Sequence, residues 1–272
     1  MALAAAALLG PGTATAQSVL VPIRPAQAAR YLLTTEASDA RALWVDPAGL
    51  ARQPEASLGV EMSADRFDSG GVQLRQYGGT IASHGMAAGW IHDRYPDGAS
   101  LNIYDVGLGL GDERFSAGVA HRWYRGVVQG SAWDAGIRAA VWNGFDASLL
   151  AKSLGSPRLG DTTYWVTLVP GALVRLFGDR IQVGGEWEVA PHRWQSVELR
   201  AGGAIAIGAG LALLLRADLA PDFRRRGFTI ALDFEGSGSR VSAFGLLPGA
   251  ADEVDAFGAA AALVARAGAG AH

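Results

Sequence analysis

The chain has 272 residues, half of them apolar and 18% charged, with 37 glycines, eight tryptophans and a formal net charge of −3. That balance excludes the concentrated basic face a nucleic-acid partner requires. With no cysteine, disulfides and thiolate metal sites are excluded as well.

The N-terminus, "MALAAAALLGPGTATAQ", joins an apolar run to a Gly10-Pro11 break and small residues at Ala14 and Ala16. This is the pattern of a secretory signal peptide, residues 1–16, cleaved after Ala16, although the usual basic start is missing. No later segment approaches the ~18 apolar residues of a spanning helix. The chain reads as exported. Residues 17–54 then hold a helix-like "PAQAARYLL" and the compact stretch "DARALWVDPAGLAR", Asp39 to Arg52.

From residue 55 to 267 the hydrophobic period is two. Candidate strands fall near 56–67, 71–80, 84–93, 101–110, 114–124, 131–142, 145–154, 162–177, 180–190, 194–206, 210–219, 226–236, 239–247 and 255–266. In "SAWDAGIRAAV", Trp133, Ile137 and Val141 oppose Asp134, Gly136 and Arg138. In "RIQVGGEWEV", Ile181, Val183, Trp187 and Val189 oppose Gln182, Gly184, Glu186 and Glu188. In "GFTIALDFE", Phe228, Ile230, Leu232 and Phe234 oppose Thr229, Ala231, Asp233 and Glu235. Such alternation builds a sheet with one apolar and one wet face. Residues 201–219 are apolar on both faces, but Gly202-Gly203 and the 208–210 run argue against a helix there.

Most of these strands have the length that crosses a bilayer when tilted. Tight turns at Gly111-Asp112, Asn143-Gly144, Gly178-Asp179 and Gly208-Ala209 alternate with longer connections from Arg94, Arg125, Leu154 and Ala220. Sorting short from long connections is the signature of an outer-membrane barrel with short periplasmic turns. Trp90, Trp123, Trp133, Trp142, Trp165 and Trp187 lie toward strand ends, where amphipathic rings suit the headgroup level. The fold class is therefore all-β, a transmembrane antiparallel β-barrel of about 14 strands with a short N-terminal hatch-like segment. Its lumen candidates are Arg122, Asp134, Arg138, Glu186, Glu188, Glu198, Arg200, Arg216, Asp218 and Asp233. Opposite charges in a closed barrel are expected to pair and brace it, because unpaired burial is costly. A charge added on the lumen face, for example at Thr229, is expected to be better tolerated than one at Ile230.

The stretch Ala42 to Ala51, "ALWVDPAGLA", resembles the "A-x-x-x-N-P-A-G-L-A" motif that FadL/PorV-like outer-membrane proteins carry shortly before their first strand. Asp46 stands where Asn is usual, and either residue can cap and turn the chain. The resemblance is specific over roughly residues 38–60. It implies a fourteen-stranded barrel whose N-terminal segment folds back into the lumen as a hatch, with Trp44, Asp46, Pro47, Gly49 and Leu50 as its key residues. Pro47 would fix where the helix stops, and Gly49 would supply a positive φ. Residues 131–161 also loosely resemble a barrel-like region at the start of some long signal-peptide-peptidase-like proteins. An aromatic-ended stretch of the terminal-strand type, Gly227 to Phe234, sits inside the chain rather than at its end, so the chain is either part of a longer protein or closed by an atypical last strand.

No catalytic constellation is present. There is no nucleophile elbow, and Lys152 lacks a serine three residues before it. The five histidines show no metal-ligand spacing; His84 and His92 fall on one candidate strand. "GLGLGDE", Gly107 to Glu113, precedes a strand rather than a helix, which makes it a turn rather than a nucleotide loop. No enzyme activity, cofactor or metal is expected. Two functions stand: passage of apolar small molecules across the outer membrane, or a non-transporting scaffold that binds a secretion-system partner. The expected partners are outer-membrane lipid and either a hydrophobic small-molecule ligand or that secretion partner.

Overall fold

The computed structural model describes residues 30–52, 56–66, 71–95, 97–208, 210–236, 239–248 and 256–265. The signal-peptide segment lies outside the described residues. Fourteen strands form one closed antiparallel barrel. They are β1 (Ala56–Arg66), β2 (Val72–Ser83), β3 (Met86–Arg94), β4 (Ser100–Gly111), β5 (Phe115–Gly126), β6 (Gly130–Trp142), β7 (Phe145–Leu154), β10 (Thr167–Leu176), β11 (Ile181–Ala190), β12 (Gln195–Gly208), β13 (Leu211–Leu219), β14 (Arg225–Gly236), β15 (Ser239–Pro248) and β16 (Ala256–Ala265). Two short strands, β8 (Arg158–Leu159) and β9 (Thr162–Thr163), make a separate hairpin inside the β7–β10 connection. Closure is made by β1 against β16, from Ala56↔Ala265 to Asp65↔Ala256, so no strand edge is left open.

Alternation explains the wall. Leu232 is 46% and Ile230 39% exposed, whereas Thr229 and Ala231, which alternate with them, are each 1% exposed. Val106, Leu108, Leu110, Trp133, Ile137, Val183 and Trp187 are exposed on the same outer surface. An apolar girdle around a closed sheet is the surface that hydrocarbon solvates. Ile230→Arg is expected to cost about 2–4 kcal/mol if the site lies near the midplane. Gln182→Arg, on the lumen face of β11, should cost clearly less. Urea unfolding in lipid vesicles measures both, and equal losses would refute the assignment of faces.

Several expectations change in detail. Residues 162–166 do not belong to the barrel strand, which starts at Thr167; Trp165 sits in the connection ahead of it. The Gly107–Gly111 portion of "GLGLGDE" is strand, and only 112–114 turn. His84 lies in the β2–β3 turn with φ 49°, separated from His92 on β3. The β5–β6 connection is only 127–129, as short as 112–114 at the other end, so the sorting of loops is less strict than the sequence implies. Of the helix-like stretch 25–33, residues 25–29 lie outside the described residues and 31–33 are not helical; among the described residues the helical pieces are α1 (Ala42–Val45) and a 3-10 turn, Pro47–Arg52.

Candidate functional site: a segment lodged in the lumen

Residues 30–52 lie inside the barrel. Their apolar side chains, Tyr31, Leu32, Leu43 and Leu50, pack with Ala82, Ala87, Ala120, Leu214, Phe244 and Leu246 of the wall into one buried cluster. The hydrophobic core thus lies between segment and wall. Thr229 is 1% exposed, so an arginine there would have to displace packed side chains and is expected to be less tolerated than one at an open lumen position.

The local turn follows from its residues. Helix α1 ends at Asp46, whose φ of −159° and ψ of 110° are extended, as expected ahead of a proline. Pro47 opens the 3-10 turn, where a missing N–H costs nothing. Asp46 Oδ1 accepts the Ala48 N–H at 3.0 Å, and its carbonyl accepts the Gly49 N–H at 3.0 Å. Asparagine could do the same. Asp46 Oδ2 also accepts Arg138 Nε at 3.0 Å, with both side chains 0% exposed. This second bond is an ion pair, which asparagine could not make. Gly49 is not a positive-φ position, contrary to expectation. It is required by crowding: a Cβ would stand 2.9 Å from Ala42 Cβ, 3.0 Å from Arg138 Nη1, and closer still to the Ala37 carbonyl.

The wall is cut away to receive this turn. A Cβ at Gly118 on β5 would collide with the Pro47 backbone, and one at Gly136 on β6 with the Asp46 carboxylate. Leu43 and Leu50 occupy the space left by Gly107, and Trp44 that left by Gly89. Trp44 donates from Nε1 to Thr80 Oγ1 at 2.8 Å and lies beneath the Arg122 guanidinium, 5.8 Å from the ring centre.

All ten lumen candidates face inward. Glu186 is a hub: it takes Arg216 Nη2 at 3.0 Å, pairs with Arg200, and accepts the Thr34 N–H at 2.7 Å. Arg216 also donates to the Leu32 carbonyl and lies 3.5 Å from Asp218. Glu188 binds Lys152 and Thr167, each at 2.8 Å. Arg122 pairs with Asp105 at 2.7 Å and with Asp134 at 3.6 Å. Asp233 meets Arg240 at 3.1 Å and also takes the Ser242 hydroxyl. Glu198 lines the cavity at the loop end. Sequence reasoning missed Asp105, Asp146, Arg75 and Arg240, all on inward positions. Strict alternation would have found Asp105, between outward Tyr104 and Val106. The register shift after Ser63 hides Arg75 from such counting.

Asp39 clasps the segment to β15, with Arg41 Nε at 2.9 Å and Arg240 Nη1 at 3.2 Å. Burial alone would raise its carboxyl; the Arg41 guanidinium, helped by Arg240, more than offsets this and holds it below the ordinary carboxylate range. Its contribution is therefore present above the unfolded-state pKa and is lost only as pH falls through that lowered value.

The segment divides the lumen. A chamber of about 720 Å³ at the loop end has Leu32, Thr34, Trp44 and Val45 as its floor. A second, of about 810 Å³ at the turn end, is bounded by Thr35, Glu36, Ser38 and Arg52. One wall of the first carries Ile91, Ile103, Tyr124 and Leu150, with the Arg122–Asp134 pair among them; the other carries Lys152, Glu188, Glu198 and Arg200. Among the described residues no cluster of histidine or acidic side chains could hold a metal.

These features define an outer-membrane-type β-barrel whose lumen is occupied by its own N-terminal segment. The backbone is similar to those of solved barrels, among them the following. The CymD monoaromatic hydrocarbon channel matches with TM-score 0.57 at 10% identity, over 88% of this chain and 96% of that one. The toluene transporter TodX of Pseudomonas putida matches with TM-score 0.53 at 12% identity, over 87% and 96%. The outer membrane protein Omp33 of Acinetobacter baumannii matches with TM-score 0.52 at 8% identity, over 79% and 100%. No family model matches the sequence, and no curated protein matches it. What these matches share with the chain is the fold, a closed antiparallel barrel of the outer-membrane type.

Proposed function

We propose that the protein is a passage barrel of the outer membrane for small apolar molecules, with residues 30–52 as its hatch. The observation that carries this reading is the chamber at the loop end, floored by Trp44 and Val45 and walled on one side by Ile91, Ile103 and Tyr124. A chamber of about 720 Å³ that sets apolar side chains on one side against a charged side has the size of a small-ligand site, and its apolar groups are where such a ligand would lie. The similar barrels titled as monoaromatic hydrocarbon and toluene channels support this direction.

A second reading, a non-transporting scaffold, is favoured by the bracing of the segment. It is tied to β6 through Arg138, to β11 through Glu186, to β13 through Arg216 and to β15 through Arg240. Uptake of radiolabelled toluene by a porin-depleted Gram-negative host separates the two. Passage requires uptake above the empty host, and its loss on Ile103→Asp, which places a charge in the apolar wall. Heat-modifiability gels establish that both forms are folded barrels. Uptake equal to the empty host, with the barrel folded, would favour the scaffold.

A further inference from the structure

The β11–β12 connection, 191–194, and the β13–β14 connection, 220–224, are neighbours at the loop end of the barrel, because β12 pairs with both β11 and β13. Just beyond them, Arg226 Nη1 at the start of β14 donates to the Val197 carbonyl at the start of β12 at 3.2 Å. Each connection carries a bulky aromatic with a left-handed backbone: Trp194 at φ 48° and Phe223 at φ 63°. Large side chains resist that conformation, and these are 86% and 73% exposed, so no packing within the chain repays the strain. Around them stand Arg193, Arg224, Arg225 and Arg226, all exposed, with Asp222 bonded to Arg224.

We infer that this rim patch binds the phosphorylated headgroup of lipopolysaccharide in the outer leaflet, its arginines engaging lipid A phosphates and Trp194 and Phe223 packing beside them. The assignment rests on the barrel standing in an outer membrane with its loop end outward. Guanidinium groups suit phosphate because their forked N–H groups bind two oxygens at once. An exposed aromatic pair beside them suits an amphiphile better than a free anion.

The test uses full-length protein in detergent, where orientation does not matter, titrated with bisphosphoryl lipid A, with dephosphorylated lipid A and with inorganic phosphate. Tryptophan fluorescence reports binding. Wild type should bind bisphosphoryl lipid A at least about tenfold more tightly than the Arg224→Gln/Arg225→Gln/Arg226→Gln variant. Trp194→Ala/Phe223→Ala, read by thermophoresis, should also weaken it. Dephosphorylated lipid A should not distinguish wild type from the arginine variant. Equal binding of bisphosphoryl lipid A by wild type and the arginine variant, both heat-modifiable, overturns the proposal. Displacement by millimolar inorganic phosphate overturns it too, leaving a simple anion patch. A barrel that binds lipid A but takes up no toluene would fail the passage reading alone.

Discussion

Deleting residues 30–52 should leave a membrane-inserted barrel that conducts ions, where the intact protein is closed. The deleted residues supply no strand to the sheet, whose pairing from β1 to β16 is complete without them. They do line both the chamber of about 720 Å³ and that of about 810 Å³ and stand between them. A shorter deletion, 39–52, would leave Leu32, Thr34 and Thr35 on their anchors at Arg216 and Glu186. Single-channel recording in planar bilayers compares the two forms. Current steps only in the deletion establish the segment as the occlusion; silence in both would mean that the lumen is blocked elsewhere, and the segment is then only a brace.

The buried pair Asp46–Arg138 should dominate the docking of the segment. Asp46→Asn keeps the turn, since an amide oxygen can still accept the Ala48 N–H, but leaves Arg138 without its counter-charge at a fully buried site. Removing one partner of such a pair costs about 3–5 kcal/mol, most of it the penalty of the stranded ion. Hydrogen exchange over residues 30–52 is the direct readout, because local opening reports local stability. Protection should fall by roughly two to three-and-a-half orders of magnitude in Asp46→Asn and in Arg138→Ala. The double variant Asp46→Leu/Arg138→Met should recover most of it, since well-packed apolar groups can replace a buried ion pair. Unchanged exchange in the single variants would show that the pair does not hold the segment.

The contrast between Asp46 and Gly49 shows what could be read from the chain. That Asp46-Pro47 ends a helix and turns the backbone is local chemistry, and the structure has that turn. That Asp46 is also half of an ion pair depends on Arg138, 92 residues away, and on the closure of the barrel. Gly49 was legible as a required glycine, but for the wrong reason: its backbone is ordinary, and the crowding by Ala37, Ala42 and Arg138 exists only once the segment is inserted.

By itself the sequence determined the strands, their two faces and the closed antiparallel sheet, because a period of two fixes which side chains leave the sheet on which side. It also marked ten of the inward charges, though not Arg75, Asp105, Asp146 or Arg240. Only the tertiary structure decided their partners, and only it made the lumen a packed core rather than a wet wall. Glu186 meets Thr34 across 152 residues, and Gly118 and Gly136 make room for a turn about seventy to ninety residues earlier in the chain. Such contacts arise from insertion into a closed cylinder, and the alternation along any one strand carries no record of what fills the cylinder.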